Sequence, residues 1–485
     1  MVAHEIGTQP GAFTFVERGQ TPSPGVLLSP LGQVDETAFF GCEFAVPIGA
    51  SERLIEYGFG GEDRRWTFWV PGANQPLRIA YASCNGFSMP GDMKKITDKN
   101  AVWRDLMAQH SQQGYHMLLM GGDQIYADQL WDVIEELRGF NNLPRDERVR
   151  TAPSPSLGNE LEHFYANTYR YRFSQNPTAD ALASIPTVMM WDDHDLFDGW
   201  GSYSDEEQTS PVFQTIFAAA RTCFMLFQLQ SNPQSPSWPA LPGQPSFNAL
   251  LRVGDVGFLV LDLRSERSQT QVISPSTWNS VFRALDQVDG LRHLLVMSSI
   301  PVVHPDLSFV ERVLALVPGQ VGEQGIEDDL HDQWASYNHR TERLRLVHRL
   351  FDYADAKGAR VTILSGDVHV AALGVVESAR RPVRWLHSNV INQLTSSPIV
   401  HPPPSRMVGY FLEQLGRDVK QIDRDVTAQM LEFPATSFRI VDARNWLSLE
   451  FDDRGRIWAN WHVEGAPQVL TKVVHPCEEA RPVTS

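Results

Sequence analysis

The chain repeats one device: a short apolar run, rich in strand formers, that breaks off at a polar and usually acidic residue. "LRIAYASC" ends at Cys84, "YHMLLMGGD" at Asp123, and "IPTVMMWDD" at Asp193 with His194 next. "VGFLVLDLR" carries Asp262 near its end, and "ARVTILSGD" stops at Asp367 with His369 two residues on. Between the first two runs, "KNAVWRDLMAQHSQQG" has helical spacing and closes on a glycine, so the segment reads as a βαβ unit with parallel strands. Helical stretches separate several of the later runs, "HLLVMSSIP" among them. Buried parallel strands restrict the chain to an α/β fold, and ligands of such sheets sit at the carboxyl edge of the strands. The polar strand ends are therefore expected to share one site.

Before Leu77 the pattern differs. "GVLLSPL", "AFFGCEFAVP" and "RRWTFWVPG" predict short strands between turn residues, hence a small β-rich domain over residues 1–76. Residues 77–470 form the main domain and residues 471–485 a tail, with "NWLSLEFDDRGRIWANWHVEG" predicted as a β-hairpin. The irregular stretches 138–185, 231–246 and 305–342 stand beside strand ends, where long insertions form lids and pocket walls. The last of these reads as a loop leading into a helix.

Charge and cysteine usage exclude several classes. A net charge of −17 repels nucleic acid and anionic membranes, yet leaves room for a small phosphorylated substrate if bound cations invert the local field. No window supplies the ~18 apolar residues of a membrane span, and the first residues, "MVAHEIGTQPGAF", lack export features, so a cytoplasmic location is expected. Cys42, Cys84, Cys223 and Cys477 are far apart without CxxC spacing, which excludes a disulfide framework or zinc ribbon and makes each a buried, inert thiol by default.

Carboxylates gathered at one sheet edge repel one another and raise each other's pKa unless cations keep them ionised. Such a set with histidines implies metal. Asp123 and Tyr126, at i and i+3 across a turn, can clasp one ion, as can Asp367 and His369. A tyrosinate suits a hard, highly charged ion such as ferric iron, and Cys84 as thiolate favours a redox metal over magnesium.

Taken together, "YASCN", "GGDQIYAD", "WDDHD", "LDLRSER", "SGDVHVA" and "LTSSPI" resemble the PhoD-like alkaline phosphatases of the calcineurin-like metallophosphoesterase superfamily, over roughly residues 77–400. "GDQIY" is also similar to the GDxxY box of iron-containing purple acid phosphatases. The resemblance implies layered β-sheets flanked by helices, and hydrolysis of phosphomonoesters or phosphodiesters by metal-activated hydroxide at a dinuclear or multinuclear site. It makes Cys84, Asp123 and Tyr126 ligands of Fe3+, with Asp123 bridging to a second ion. Asp193 stands where most of the superfamily has the asparagine of GNH, with His194 as the substrate-contacting histidine. Asp367 and His369 occupy the two histidine positions of the GHxH box. Oxygen donors in place of nitrogen imply Ca2+, or another divalent ion, beside the iron. No secure counterpart of a further histidine box appears; His304 in "IPVVHPD" is nearest, at the wrong spacing.

The remaining residues take their own readings. Arg264 either clamps a phosphate oxygen or supports Asp262 through a salt bridge. The glycines before Asp123 let backbone and phosphate approach. Asp128 reads as a helix N-terminal carboxylate, Asp192 as a loop-orienting group, Asp195 as a support for His194, Trp334 as packing, and "SSP" at Ser396, Ser397 and Pro398 as a turn behind the site. An HD-type hydrolase is disfavoured because its ligands sit on helices. A fold that binds metal or a phosphorylated ligand without turnover is the alternative, disfavoured by the retention of Asp123 and His194.

Overall fold

The computed structural model describes residues 2–17, 20–73, 75–234, 236–242, 246–304, 334, 339–379 and 384–479. Two sheets stand at its centre. In the six-stranded sheet the order is Leu470–Val474, Ile457–Val463, Asn445–Phe451, Arg78–Ala82, Met117–Gly121 and Thr187–Met190. The last three run parallel and the first three form an antiparallel flank. The predicted C-terminal hairpin is thus present, as Asn445–Phe451 against Ile457–Val463, and the sheet also takes in residues 470–474, where a tail was expected. The nine-stranded sheet is built on the parallel strands Val256–Val260, His293–Met297, Arg360–Ser365 and Val390–Thr395, with antiparallel strands on both sides.

Alternation along the strands explains the layers. Ile79, Tyr81, Leu119, Val188 and Met190 point to one core together with Phe258, Val260, Leu295, Met297 and Leu364, so the two sheets pack face to face. Their neighbours in sequence face outward. Ala80, Ala82, Leu118 and Met120 pack against Val102, Trp103 and Leu106 of helix Ala101–Gln113. Leu259, Leu294, Val296 and Ile363 pack against Trp278, Val281 and Leu285 of helix Pro275–Gln287, and against Leu346, Val347 and Leu350 of helix Arg340–Lys357. The result is the expected α/β architecture of layered sheets flanked by helices. Every strand that carries a candidate ligand is buried on both faces, which fixes its register.

The residues before Leu77 form two three-stranded antiparallel sheets, Val2–Glu5 with Ser29–Val34 and Thr37–Gly41, and Phe13–Glu17 with Arg53–Phe59 and Trp66–Val70. They are tied to the following helices: Phe39 meets Phe227 edge-on at 5.1 Å, and the Tyr57 hydroxyl donates to Ala183 O at 2.7 Å. The stretch 138–185 is more regular than its sequence suggested, holding helices Leu157–Phe173 and Thr178–Ser184. Of the stretch 305–342, all but Trp334 and residues 339–342 lies outside the described residues. Trp334 is fully buried in the core and donates from Nε1 to Ser298 Oγ at 3.3 Å, a packing role as predicted. Among the described residues no helix is long and apolar enough to cross a membrane. The four cysteines are free; Cys84 and Cys223 are buried, while Cys42 and Cys477 are only half-buried, which corrects the expectation for that pair.

Candidate metal centre

Three of the turns that leave the central strands are unusual in the same way. Cys84, Asp123, Asp367 and His369 have φ of 55°, 53°, 66° and 53°. Left-handed backbone at non-glycine residues costs about 1–3 kcal/mol each and persists where surrounding contacts dictate it. Here it turns four side chains of two sheets toward a single point. Gly121 and Gly122 make the approach possible. A Cβ on Gly121 would stand 1.9 Å from the Tyr81 hydroxyl oxygen, and one on Gly122 (φ +103°) 3.0 Å from the Cβ atoms of Asp192 and Ser299. The glycines therefore make room for neighbouring strand ends, where the sequence suggested room for phosphate.

The cluster has two sides that meet at Asp123. On one side, Cys84 Sγ is 3.4 Å from Asp123 Oδ2, and the Tyr126 hydroxyl is 3.3 Å from the same oxygen and 3.1 Å from His369 Nε2. Cys84, Asp123 and His369 present ligand atoms all within 4.8 Å of one another. On the other side, Asp123, Asp192, Asp193 and Asp367 do the same with oxygen only, and Asp123, Asp193 and His194 form a third such group. Asp123 belongs to all three.

These groups suit cations better than they suit one another. Asp123 is 1% exposed and its Oδ1 has no hydrogen-bond partner among the described residues. Burial first, then the neighbouring Asp193 and Asp192 against the opposing pull of His194, holds its carboxyl well above the usual range. Burial and Asp123 likewise raise the Cys84 thiol, opposed by a hydrogen bond that Ser397 donates to Sγ at 2.9 Å. Burial and then Cys84 and Asp123 raise the Tyr126 phenol. Bound positive charge is the remedy that lets all three ionise. The residues present fit one cation held by Cys84, Asp123, Tyr126 and His369, and a second held by Asp123, Asp193 and Asp367.

The surrounding contacts differ from several sequence expectations. His194 Nδ1 lies 2.9 Å from Asp128 Oδ2, and Asp128 Oδ1 also accepts the Asp198 N–H at 2.8 Å. Asp128, read from sequence as a helix-end charge, thus supports His194. Asp195, assigned that task, instead accepts the backbone N–H groups of Asp192, Gln124 and Ile125 at 2.9, 3.3 and 3.3 Å, and so braces the Asp123 turn. Burial lowers the His194 pKa, but Asp128 and Asp193 outweigh it and the net shift is upward. Asp262 does not join the cluster. Its carboxylate closes its own turn and accepts from Trp191 Nε1 and Phe247 N, both at 2.8 Å.

Arg264 is fully buried, with Nε on Asp192 Oδ1, Nη1 donating to Trp200 O at 2.9 Å and Nη2 3.3 Å from Asp193 Oδ1. Its guanidinium therefore braces Asp192 and Asp193, where the sequence reading left open a phosphate clamp or a salt bridge to Asp262. His304 lies beside Arg343 and Leu415 along a small recess and belongs to none of the ligand groups. The "SSP" turn reaches the site directly, through Ser397 on Cys84.

One member was missed. His401 stacks on His369 at 3.9 Å and on Tyr126 at 5.2 Å, and its Nδ1 donates to Pro402 O at 2.9 Å. Burial pushes its pKa down to about 4. It stands six residues past the end of strand Val390–Thr395, so no strand-end pattern marks it; what carries it in is pairing of His401 N and Val400 N with Cys84 O, both at 3.2 Å.

A family model described as PhoD related phosphatase matches residues 61–237 and 313–422. An uncharacterized protein of Saccharomyces cerevisiae is 28% identical over 454 residues, covering 77% of this chain, and this chain spans 64% of that relative's length. A solved structure of PhoD superposes with a TM-score of 0.60 at 13% identity over 98% of this chain and 86% of that one, a likeness of fold. A purple acid phosphatase from yellow lupin (Lupinus luteus) seeds gives a TM-score of 0.49 at 11% identity, over 96% of this chain and 69% of its own. Because the matched segments make up more than half of the sequence, the chain belongs to the family of PhoD-related phosphatases.

Proposed function

We propose that the chain hydrolyses phosphate esters of small molecules at a cluster of bound cations, and the observation that carries this reading is Asp123 shared by all three ligand-capable groups found among the described residues. The thiolate, phenolate and imidazole side fits Fe3+, and the all-oxygen side fits Ca2+ or another hard divalent ion. When bound, such a pair supplies charge neutralisation for the phosphoryl group and a water acidified for attack.

The chain's own residues supply the rest. Asp128 keeps the proton of His194 on Nδ1 and leaves Nε2 for a phosphoryl oxygen or the leaving alkoxide. Arg264 holds Asp192 and Asp193 in place without touching substrate. Asp195 locks the Asp123 turn through three backbone N–H groups. The net charge of −17 turns away polyanions and leaves small phosphorylated molecules as the substrate class.

Hydrolysis of p-nitrophenyl phosphate and bis(p-nitrophenyl) phosphate at alkaline pH, after loading with iron and calcium, tests the reading and gives the ester class. Two substitutions refine it. Asp128→Asn should lower kcat about 10- to 100-fold with KM nearly unchanged, since it disturbs only the histidine's tautomer and aim. A comparable loss in KM would place Asp128 against substrate instead. Tyr126→Phe should abolish the phenolate-to-iron absorption of the iron-loaded protein, and a retained band would remove Tyr126 from the ligand set.

A further inference from the structure

A cavity of about 1030 Å³ ends on the same tyrosine that closes the metal cluster. Tyr126 lines it, while its hydroxyl reaches Asp123 and its ring packs at a tilt against His194 at 4.4 Å. Tyr126 is thus common to the cavity and the cluster. One wall is the helix Leu157–Phe173, which has two working faces. Leu157, Leu161, Tyr165 and Tyr169 fill the core, and Glu160, Phe164, Thr168 and Tyr171, at helical spacing, line the cavity. The facing wall brings Phe87, Met93 and Lys99 from the chain after Cys84, and Val133 and Ile134 from the chain after Tyr126. The facing wall therefore grows from the two segments that carry Cys84 and Tyr126.

We propose that this cavity seats the organic half of the substrate, and that the substrate is a phosphate ester of a bulky, ring-bearing, uncharged alcohol. The inference rests on the phosphoesterase reading above. Size is the first argument, because a phosphoryl group is held at the cluster and the cavity is as large as the pockets, ~300–1,000 Å³, that enclose whole organic ligands. Wall chemistry is the second. Phe87, Phe164 and Tyr171 offer faces and edges for ring packing, Lys99 Nζ lies 6.0 Å over the Phe87 ring, and Asn100 and Gln175 add hydrogen-bonding amides. Charge is the third. Glu135 and Glu160 line the cavity and oppose a second anionic group, against one positive charge from Lys99; Asp35 is paired with His163 at 2.6 Å and the Arg172 guanidinium is committed to Asn85 Oδ1 at 2.8 and 3.0 Å.

The test compares phenyl phosphate with biphenyl-4-yl phosphate, whose leaving phenols have nearly the same acidity. Thr168→Trp places an indole in the cavity and should raise KM for the biphenyl ester about tenfold, leaving phenyl phosphate within about twofold. Tyr171→Ala, at a side chain 60% exposed and so safe for folding, should raise the biphenyl KM about threefold. Binding of 4-phenylphenol, followed by its fluorescence, should be present in the wild-type protein and lost in Thr168→Trp without any turnover. Equal effects on both esters, no effect on either, or equal binding of 4-phenylphenol to both proteins overturns the cavity assignment alone. Hydrolysis of neither ester by the wild-type protein overturns the phosphoesterase reading, and the assignment falls with it.

Discussion

Asp123→Asn is expected to lower kcat for phosphate-ester hydrolysis by about a thousandfold or more, and to leave the purified protein depleted of metal. The substitution keeps the size and shape of the side chain and removes its charge. Asp123 Oδ2 faces both Cys84 and Tyr126, and the residue joins the oxygen-rich groups on the other side, so a neutral amide weakens both cation positions at once. The same change should not unfold the protein. A carboxylate buried at 1% exposure among other carboxylates costs folding free energy in the absence of cations, so the metal-free variant should melt at or above the metal-free parent. Loss of activity and metal with an intact thermal midpoint separates a ligand from a structural residue. A variant that keeps its metal would remove Asp123 from the centre of the account.

His194→Gln should lower kcat about 10²- to 10⁴-fold, the range for a positioned proton donor, and leave metal content unchanged. The distinction matters because His194 also forms a ligand-capable group with Asp123 and Asp193. Asp128 holds its Nδ1 at 2.9 Å, and the proposed function gives its other ring nitrogen to the substrate. Metal analysis beside kinetics decides between the two, since a ligand's loss would reduce the bound metal along with the rate.

The strand ends were legible because burial on both faces demands unbroken apolar runs, and a polar residue at the end of such a run stands out. Cys84, Asp123, Asp193, Asp367 and His369 were found that way, and the structure brings them together. Asp262 obeyed the same pattern and failed, because whether a strand-end carboxylate faces the site or its own turn depends on the backbone dihedrals after the strand. Partner choice was least legible. Asp128 and Asp195 lie 66 and 1 positions from His194, and the near residue looked the better support, yet the 3-10 turn Asp193–Asp195 aims Asp195 back at the Asp123 loop. His401 left no local signal, since only backbone pairing with the Cys84 turn brings it in. The strands Phe13–Glu17 and Arg53–Phe59 carry mixed, half-exposed side chains, and neither was singled out for that reason.

Stripping the protein with chelator and titrating iron and calcium back, while metal content and phosphate-ester hydrolysis are followed together, decides whether the cluster around Asp123 works through bound cations. The stripped protein should show no turnover, and activity should return with bound metal, saturating only when more than one cation is held per chain. Full turnover by the stripped protein, or a metal-saturated protein that hydrolyses no phosphate ester, would contradict cation-dependent catalysis there.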